Sequence, residues 1–123
     1  MRKLLFITSL LAASVASSLA LAAAKQDFQI VNSTGYQIDE VYVSPADADK
    51  YGDDILDDDS IPDGGTVNVH FSGEGGACKF DIKVVYEDED EDEAEFHNVN
   101  LCSVSKVTLF WDRKAGTTRA VAD

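Results

Sequence analysis

The stretch CKFDIKVVYEDEDEDEAEFHNVNLC, Cys78 to Cys102, decides the fold that the sequence predicts. Its first part alternates apolar and polar residues with the period of two that is typical of a half-buried β-strand. Seven consecutive carboxylates, Glu87 to Glu93, interrupt the pattern, and a second strand-like segment follows at 94–101. This order predicts a β-hairpin with an acidic tip at 87–95.

The two cysteines frame this hairpin. Cys78 and Cys102 are the only cysteines of the chain, and an isolated pair in an exported protein is typical of a structural disulfide. Their midpoint is Asp90, so a symmetric hairpin brings the two cysteines face to face. The register predicted in this way pairs Cys78 with Cys102, Val84 with Phe96, and Lys83 with His97.

The symmetric register has one difficulty at its open end. Val99 and Leu101 would face away from Phe80, on the side of the hairpin that carries Asp81. A β-bulge near Asn98 would return both apolar residues to the core and would shift the register at the cysteines. The alternative is that both faces of this end of the hairpin are covered.

The chain after residue 24 reads as short strands throughout, and none of it shows a sustained helical period. The predicted strands are 27–31, 37–44, 66–71, 79–86, 94–101, 104–112 and 117–121. Seven strands in a chain of this length predict a small antiparallel β-sandwich, immunoglobulin-like in outline, with one disulfide. A partly open β-barrel is the alternative.

The first 24 residues have the order of a secretory signal peptide. Arg2 and Lys3 precede an apolar run, and small residues then lead to cleavage after Ala22 or Ala24. The apolar core is shorter than the roughly 20 residues that cross a bilayer. We therefore expect a periplasmic or secreted protein with a single domain over 25–123 and no membrane span after signal removal.

The charge of this domain limits its partners. Residues 25–123 carry eight basic and 23 acidic residues, a net formal charge of −15. Such a charge repels nucleic acid and anionic lipid, and it favours an envelope or extracellular protein with a basic surface. The same charge also keeps a small protein soluble.

Two acidic segments are candidate cation sites. The long loop 44–65 and the tip 87–95 supply the oxygen ligands that Ca²⁺ prefers, although part of the loop fits the calcium-loop template only incompletely. We expect weak Ca²⁺ attraction at most, and no other cofactor. The candidate ligands are Asp47, Asp49, Asp53, Asp54, Asp57, Asp58, Asp59, Glu87, Asp88, Glu89, Asp90, Glu91, Asp92 and Glu93.

Residues for catalysis are few. His70 and His97 are expected to face solvent on separate strands, and no serine lies in a nucleophile motif, so we expect no enzyme; a hydrolase is a minor alternative. Leu109 and Trp111 or Phe110 fit a core strand, with a ligand platform as the alternative. The triplet at Asn32 matches a glycosylation sequon but fits a turn between two strands better.

Several motifs resemble a largely uncharacterised family of small exported proteins, mostly from proteobacteria. The motifs are FxIVNxTG at 28–35, VYVSP at 41–45, YGDDIL at 51–56, CxFDIKVVY at 78–86, VNLC at 99–102, and SKVTL with GTTRAV at 105–121. The resemblance implies a single exported domain and no defined activity. Some members carry the label argininosuccinate lyase, which so short a chain cannot support. The family pattern has tryptophan at Tyr51 and often at Phe80, and a short Asp-Gly turn in place of Glu87 to Glu93.

Overall fold

Seven β-strands form the regular structure of the residues that the computed structural model describes, which are 25–48, 50–71, 76–88 and 93–123. They are β1 Phe28–Ser33, β2 Ile38–Pro45, β3 Thr66–Val69, β4 Lys79–Tyr86, β5 Ala94–Asn100, β6 Lys106–Asp112 and β7 Thr117–Ala122. The predicted signal peptide lies outside the described residues. Within them, no helix is long and apolar enough to cross a bilayer.

The strands form two sheets, which confirms the predicted sandwich over the partly open barrel. One sheet has four strands in the order β3-β1-β6-β7, and the other has three in the order β2-β4-β5. β1 and β6 are parallel, whereas the other neighbouring strands are antiparallel. Successive strands from β1 to β4 therefore alternate between the two sheets.

The core lies between the sheets and follows the alternation of the strands. Every second residue of β4 is buried, from Phe80 to Tyr86. The facing sheet contributes Ile30, Val107 and Leu109, each at most 2 % exposed. Alternate burial of this kind fixes the strand faces, because a slip by one residue would turn the apolar set toward water.

The register predicted for the β4–β5 hairpin is wrong. Instead of the symmetric pairs, Val84 lies opposite Ala94, Lys83 opposite Glu95, and Lys79 opposite Asn100. A register shift of one residue also occurs between Phe80 and Ile82, as the bulge alternative predicts. At the base, Leu101 N donates to Cys78 O over 2.8 Å, so Cys102 stands one residue past the position opposite Cys78.

Beside the tip, the pairing is offset by two residues from the symmetric register, and a bulge reduces this offset to one at the base. The bulge contains Asn98, whose φ of 58° lies in the left-handed region, which asparagine tolerates better than most residues. The extra residue lets Val99 pair with Phe80 and leaves Leu101 fully buried. The disulfide still forms, with the Cα atoms of Cys78 and Cys102 5.1 Å apart, so the predicted pairing of the cysteines is confirmed.

Candidate functional site

The acidic loop 44–65 is held against the edge of β2. Ile38 and Ile61 exchange two backbone hydrogen bonds of 2.9 and 2.8 Å, and Ile55 N donates to Val41 O over 2.8 Å. Leu56 and Ile61 are buried, with 6 % and 2 % of their surface exposed, so their side chains also hold the loop to the core. Ile55 is 38 % exposed and contributes its backbone instead of its side chain.

Asp54 has a structural role in this loop. One carboxylate oxygen accepts hydrogen bonds from Val41 N at 2.9 Å and Leu56 N at 3.0 Å. The carboxylate therefore satisfies a backbone donor on the free edge of β2 and closes the turn at the same time. Asp54 is half-buried, so this predicted ligand serves the fold.

Other aspartates of the loop point to solvent. Asp53, Asp57, Asp58 and Asp59 are exposed, and their carboxylates form no ion pair or hydrogen bond within the described part of the chain. Asp47 is exposed as well, and Asp49 lies outside the described residues. The loop thus presents several carboxylates from a backbone that is fixed to the sheet.

The acidic tip is described only at its two ends. Glu87, Asp88 and Glu93 are exposed, and Glu93 forms an ion pair of 3.2 Å with Lys83. The other candidate ligands of the tip, Glu89, Asp90, Glu91 and Asp92, lie outside the described residues. Weak Ca²⁺ attraction at the tip therefore stays a prediction.

Metal coordination has no preformed site in the described residues. No three histidine, cysteine, aspartate or glutamate side chains there are arranged to hold an ion. His70 lies beside Asp27 and His97 beside Asp81, with Nδ1–Oδ2 distances of 3.4 and 3.2 Å. Both imidazoles face solvent as predicted, with 76 % and 57 % of their side-chain surface exposed.

Tyr51 folds back from the loop over the outer face of the three-stranded sheet. Its ring lies 6.1 Å from that of Tyr42, and Lys83 Nζ lies 5.5 Å from the Tyr42 ring and 5.8 Å from the Tyr51 ring. The cationic nitrogen thus interacts with two aromatic rings and with Glu93. This contact adds a side-chain anchor to the backbone anchors of the loop.

Both tyrosines of this cluster resist ionisation. The hydrogen bond from Tyr42 to Glu40, aided by burial, raises the pKa of the Tyr42 phenol to about 12. Burial first, and then the negative charge of Glu95, raise the pKa of the Tyr51 phenol to about 12. The Tyr51 hydroxyl is buried without a partner at hydrogen-bond geometry in the described chain, so Glu95 acts on it mainly through its charge.

A small cavity lies beside Tyr51. It has a volume of about 210 Å³ and is lined in part by Ser44, Lys50, Glu95 and His97. His97 follows inward-facing Phe96 on β5, so the alternation of the strand puts it on the outer face, where it lines this cavity. The lining mixes cationic and anionic groups, so it does not select a charge.

The sequence did not single out Lys83 or the ring of Tyr51 as site residues. Tyr51 follows a run of small and polar residues and has no periodic neighbours that would place it on a face. Its contact with Lys83 joins residues far apart in sequence, and only the path of the loop brings them together.

Comparisons with known proteins support the fold alone. No family model matches the chain, and no curated protein matches it. The chain is similar to an NMR structure of a protein from Eubacterium rectale, with a TM-score of 0.54 and 12 % identity over 78 % of this chain and 85 % of that one. The family resemblance of the motifs therefore stays a prediction.

Proposed function

We propose that the protein is an exported, non-enzymatic binding domain whose acidic loop 44–65 docks onto a basic surface of another envelope or extracellular protein. The observation that carries the proposal is the combination of an anchored backbone with unpaired carboxylates at Asp53, Asp57, Asp58 and Asp59. The disulfide is typical of an oxidising, non-cytoplasmic compartment, which supports export to the periplasm or beyond.

The anchors reduce the entropic cost of binding. A loop of this length that ordered only on docking would lose roughly 1–2 kcal/mol of backbone entropy per residue. Here hydrogen bonds at Val41, Ile55 and Ile61 already fix the path of the loop. A preorganised surface retains more of its gross interaction energy as affinity.

The net charge of the domain selects partners by the sign of their charge. With a formal charge of −15 over residues 25–123, the domain repels anionic partners and attracts cationic ones from beyond contact distance. Attraction of this kind raises association rates and decreases as salt is added.

The absence of an enzymatic role is part of the proposal. Within the described residues, His70 and His97 contact Asp27 and Asp81, and neither contacts a hydroxyl or thiol that it could activate. A base without a nucleophile in reach gives no support for acyl transfer.

Nuclear magnetic resonance with a basic probe locates the docking surface. We expect octalysine, titrated into the ¹⁵N-labelled 25–123 domain at low salt, to shift the amide signals of residues 50–63 most strongly. The shifts should disappear at about 0.5 M salt, where screening acts over a few ångströms. Larger shifts at 87–95 than at 50–63 would contradict the proposal, because the tip would then be the preferred contact.

A further inference from the structure

A cleft lies at one end of the sandwich, away from the Tyr51 cluster. It has a volume of about 440 Å³ and lies between the β1–β2 turn, the end of β6 and the last residues of the acidic loop. Its walls include Gly35, Tyr36, Asp63, Trp111 and Arg113. A concavity of this size accommodates a small molecule of one or two rings.

Trp111 gives the cleft an aromatic wall that is held in place. The indole packs edge-on against Tyr36 and Tyr86, with ring centroids 5.4 and 6.2 Å away and interplanar angles of 76° and 90°. Trp111 is only half-buried by these contacts. Its Nε1–H forms no hydrogen bond in the described chain and is not among the fully buried unpaired atoms.

Two opposite charges line the same cleft without neutralising each other. The guanidinium of Arg113 has no ion pair or hydrogen bond in the part of the chain that the structure describes. Asp63 accepts a hydrogen bond from Gly35 N at 2.9 Å through Oδ1, and Oδ2 has no partner there. The cleft therefore offers a planar five-donor group and a free carboxylate oxygen beside an aromatic wall.

The lining of the cleft is balanced in charge, although the domain as a whole is strongly acidic. Arg113 and Asp63 are the charged residues among those that line it. Lys114 follows Arg113 in the turn between β6 and β7. An unpaired guanidinium in a lining without net negative charge can hold an anionic ligand by direct pairing.

We infer that this cleft binds an acidic saccharide unit, a sugar ring that carries a carboxylate. The apolar face of the ring packs on Trp111, the carboxylate pairs with Arg113, and a ring hydroxyl donates to Asp63. An arginine suits the carboxylate because its donors match two oxygens at once. The site shares Asp63 with the acidic loop 44–65 but none of the four carboxylates that carry the docking proposal, so either proposal can fail without the other.

Tryptophan fluorescence tests this inference directly, because Trp111 is the only tryptophan of the chain. Glucuronate and glucose form a matched pair of probes that differ in the carboxylate. We expect a saturable fluorescence change with glucuronate and affinity about tenfold weaker for glucose, the effect of one charge-assisted hydrogen-bonded pair.

Three variants assign the contacts. Arg113→Gln should reduce glucuronate affinity about tenfold and leave glucose unchanged, whereas Asp63→Asn, which retains an acceptor for Gly35 N, should weaken both sugars. Lys106→Gln is the control, since it removes the same charge at the start of β6, the end of the strand away from the cleft. It should leave both affinities within about twofold of wild type.

Three outcomes would overturn the inference. The first is no saturable change with glucuronate up to about 50 mM. The second is equal affinity for glucuronate and glucose. The third is an equal loss of glucuronate affinity in Arg113→Gln and Lys106→Gln. Hexaglutamate is the competing probe, and tighter binding of that peptide than of glucuronate would assign the cleft to acidic peptides and overturn the saccharide inference.

Discussion

Asn32 joins three segments through one buried side chain. Its Nδ2 donates to Tyr36 O at 2.8 Å and Ile61 O at 2.9 Å, and its Oδ1 accepts from Thr34 N at 3.1 Å and Thr34 Oγ1 at 2.6 Å. The side chain is fully buried, so the sequon at this position is a structural turn in the folded protein. The same side chain ties the β1–β2 turn to the last part of the acidic loop.

Replacement of Asn32 should destabilise the domain strongly. We expect Asn32→Ala to reduce the free energy of unfolding by about 3 kcal/mol, because buried donors and acceptors lose their partner. Urea denaturation measures the loss. Asn68→Ala is the control, since Asn68 is exposed and should cost at most about 0.5 kcal/mol. Equal losses in both variants would contradict this role of Asn32.

Asp81 makes stability depend on pH. The hydrogen bond from Asn98 N, and then His97, lower the pKa of the Asp81 carboxyl, against the opposing effect of burial. A lowered folded-state pKa contributes stability above the unfolded pKa of about 3.9, and the contribution is lost as pH falls through the folded value. We expect Asp81→Asn to be about 1 kcal/mol less stable than wild type at pH 7 and the gap to narrow below about pH 4. Urea denaturation from pH 7 to pH 3 measures this difference in unfolding free energy. A difference that stays constant over this range would contradict the stabilising role of the ionised Asp81.

At the scale of elements, the β4–β5 hairpin shows how far the sequence leads. Alternation of apolar residues predicts both strands, and the cysteine pair predicts their association. The symmetric register was wrong because the midpoint of the cysteines shows neither the two-residue offset beside the tip nor the extra residue at left-handed Asn98. The orientation of Val99 and Leu101 was the visible sign of the bulge.

The positive φ at Asn98 should make the stability of the domain depend on which residue replaces it. We expect Asn98→Gly to stay within about 0.5 kcal/mol of wild type, because glycine adopts positive φ freely. Asn98→Val should lose about 2 kcal/mol, since a β-branched residue is strained there. Thermal unfolding of the two variants measures the difference, and equal stabilities would show that φ at this position is not positive in solution.

The disulfide closes the same element. Cys78 and Cys102 are 24 residues apart, and a loop of about this length contributes about 3 kcal/mol by restricting the unfolded chain. The Cys78→Ser, Cys102→Ser double variant should therefore unfold at clearly lower urea concentration. The reduced wild-type protein is the control, and its urea midpoint should match that of the double variant. Thiol labelling that finds both cysteines free in protein purified without reductant would contradict the disulfide.

Other features of the elements are not accessible from the sequence. The parallel pairing of β1 with β6 joins strands that are distant in sequence, and no local pattern encodes it. The length and the aspartates of the loop 44–65 are visible, but its path is not, because its anchors at Ile55 and Ile61 are largely backbone atoms. Because the path of the loop is not visible in the sequence, the contact of the Tyr51 ring with Lys83 could not be predicted either.

At the scale of the whole molecule, charge is distributed unevenly around one fold. The loop 44–65 and the tip 87–95 contain 16 of the 23 acidic residues, while half of the basic residues after residue 24 lie in β6, β7 and their turn. Strand order places β7 at the edge of the four-stranded sheet, whereas most of the loop 44–65 follows the edge of β2 in the other sheet, and the two regions meet only at the cleft beside Asp63. One domain can therefore offer a cationic partner and an anionic ligand different surfaces.

The central claim is that the anchored loop, and not the total charge, binds a basic partner. Two variants with four neutralised carboxylates each separate the possibilities, D53N/D57N/D58N/D59N in the loop and E87Q/D88N/E89Q/D90N at the tip. Calorimetry with octalysine at low salt compares them. We predict that the loop variant binds about tenfold more weakly than the tip variant, as four exposed ion pairs of about 0.4 kcal/mol each would give. Equal affinities of the two variants would contradict the claim.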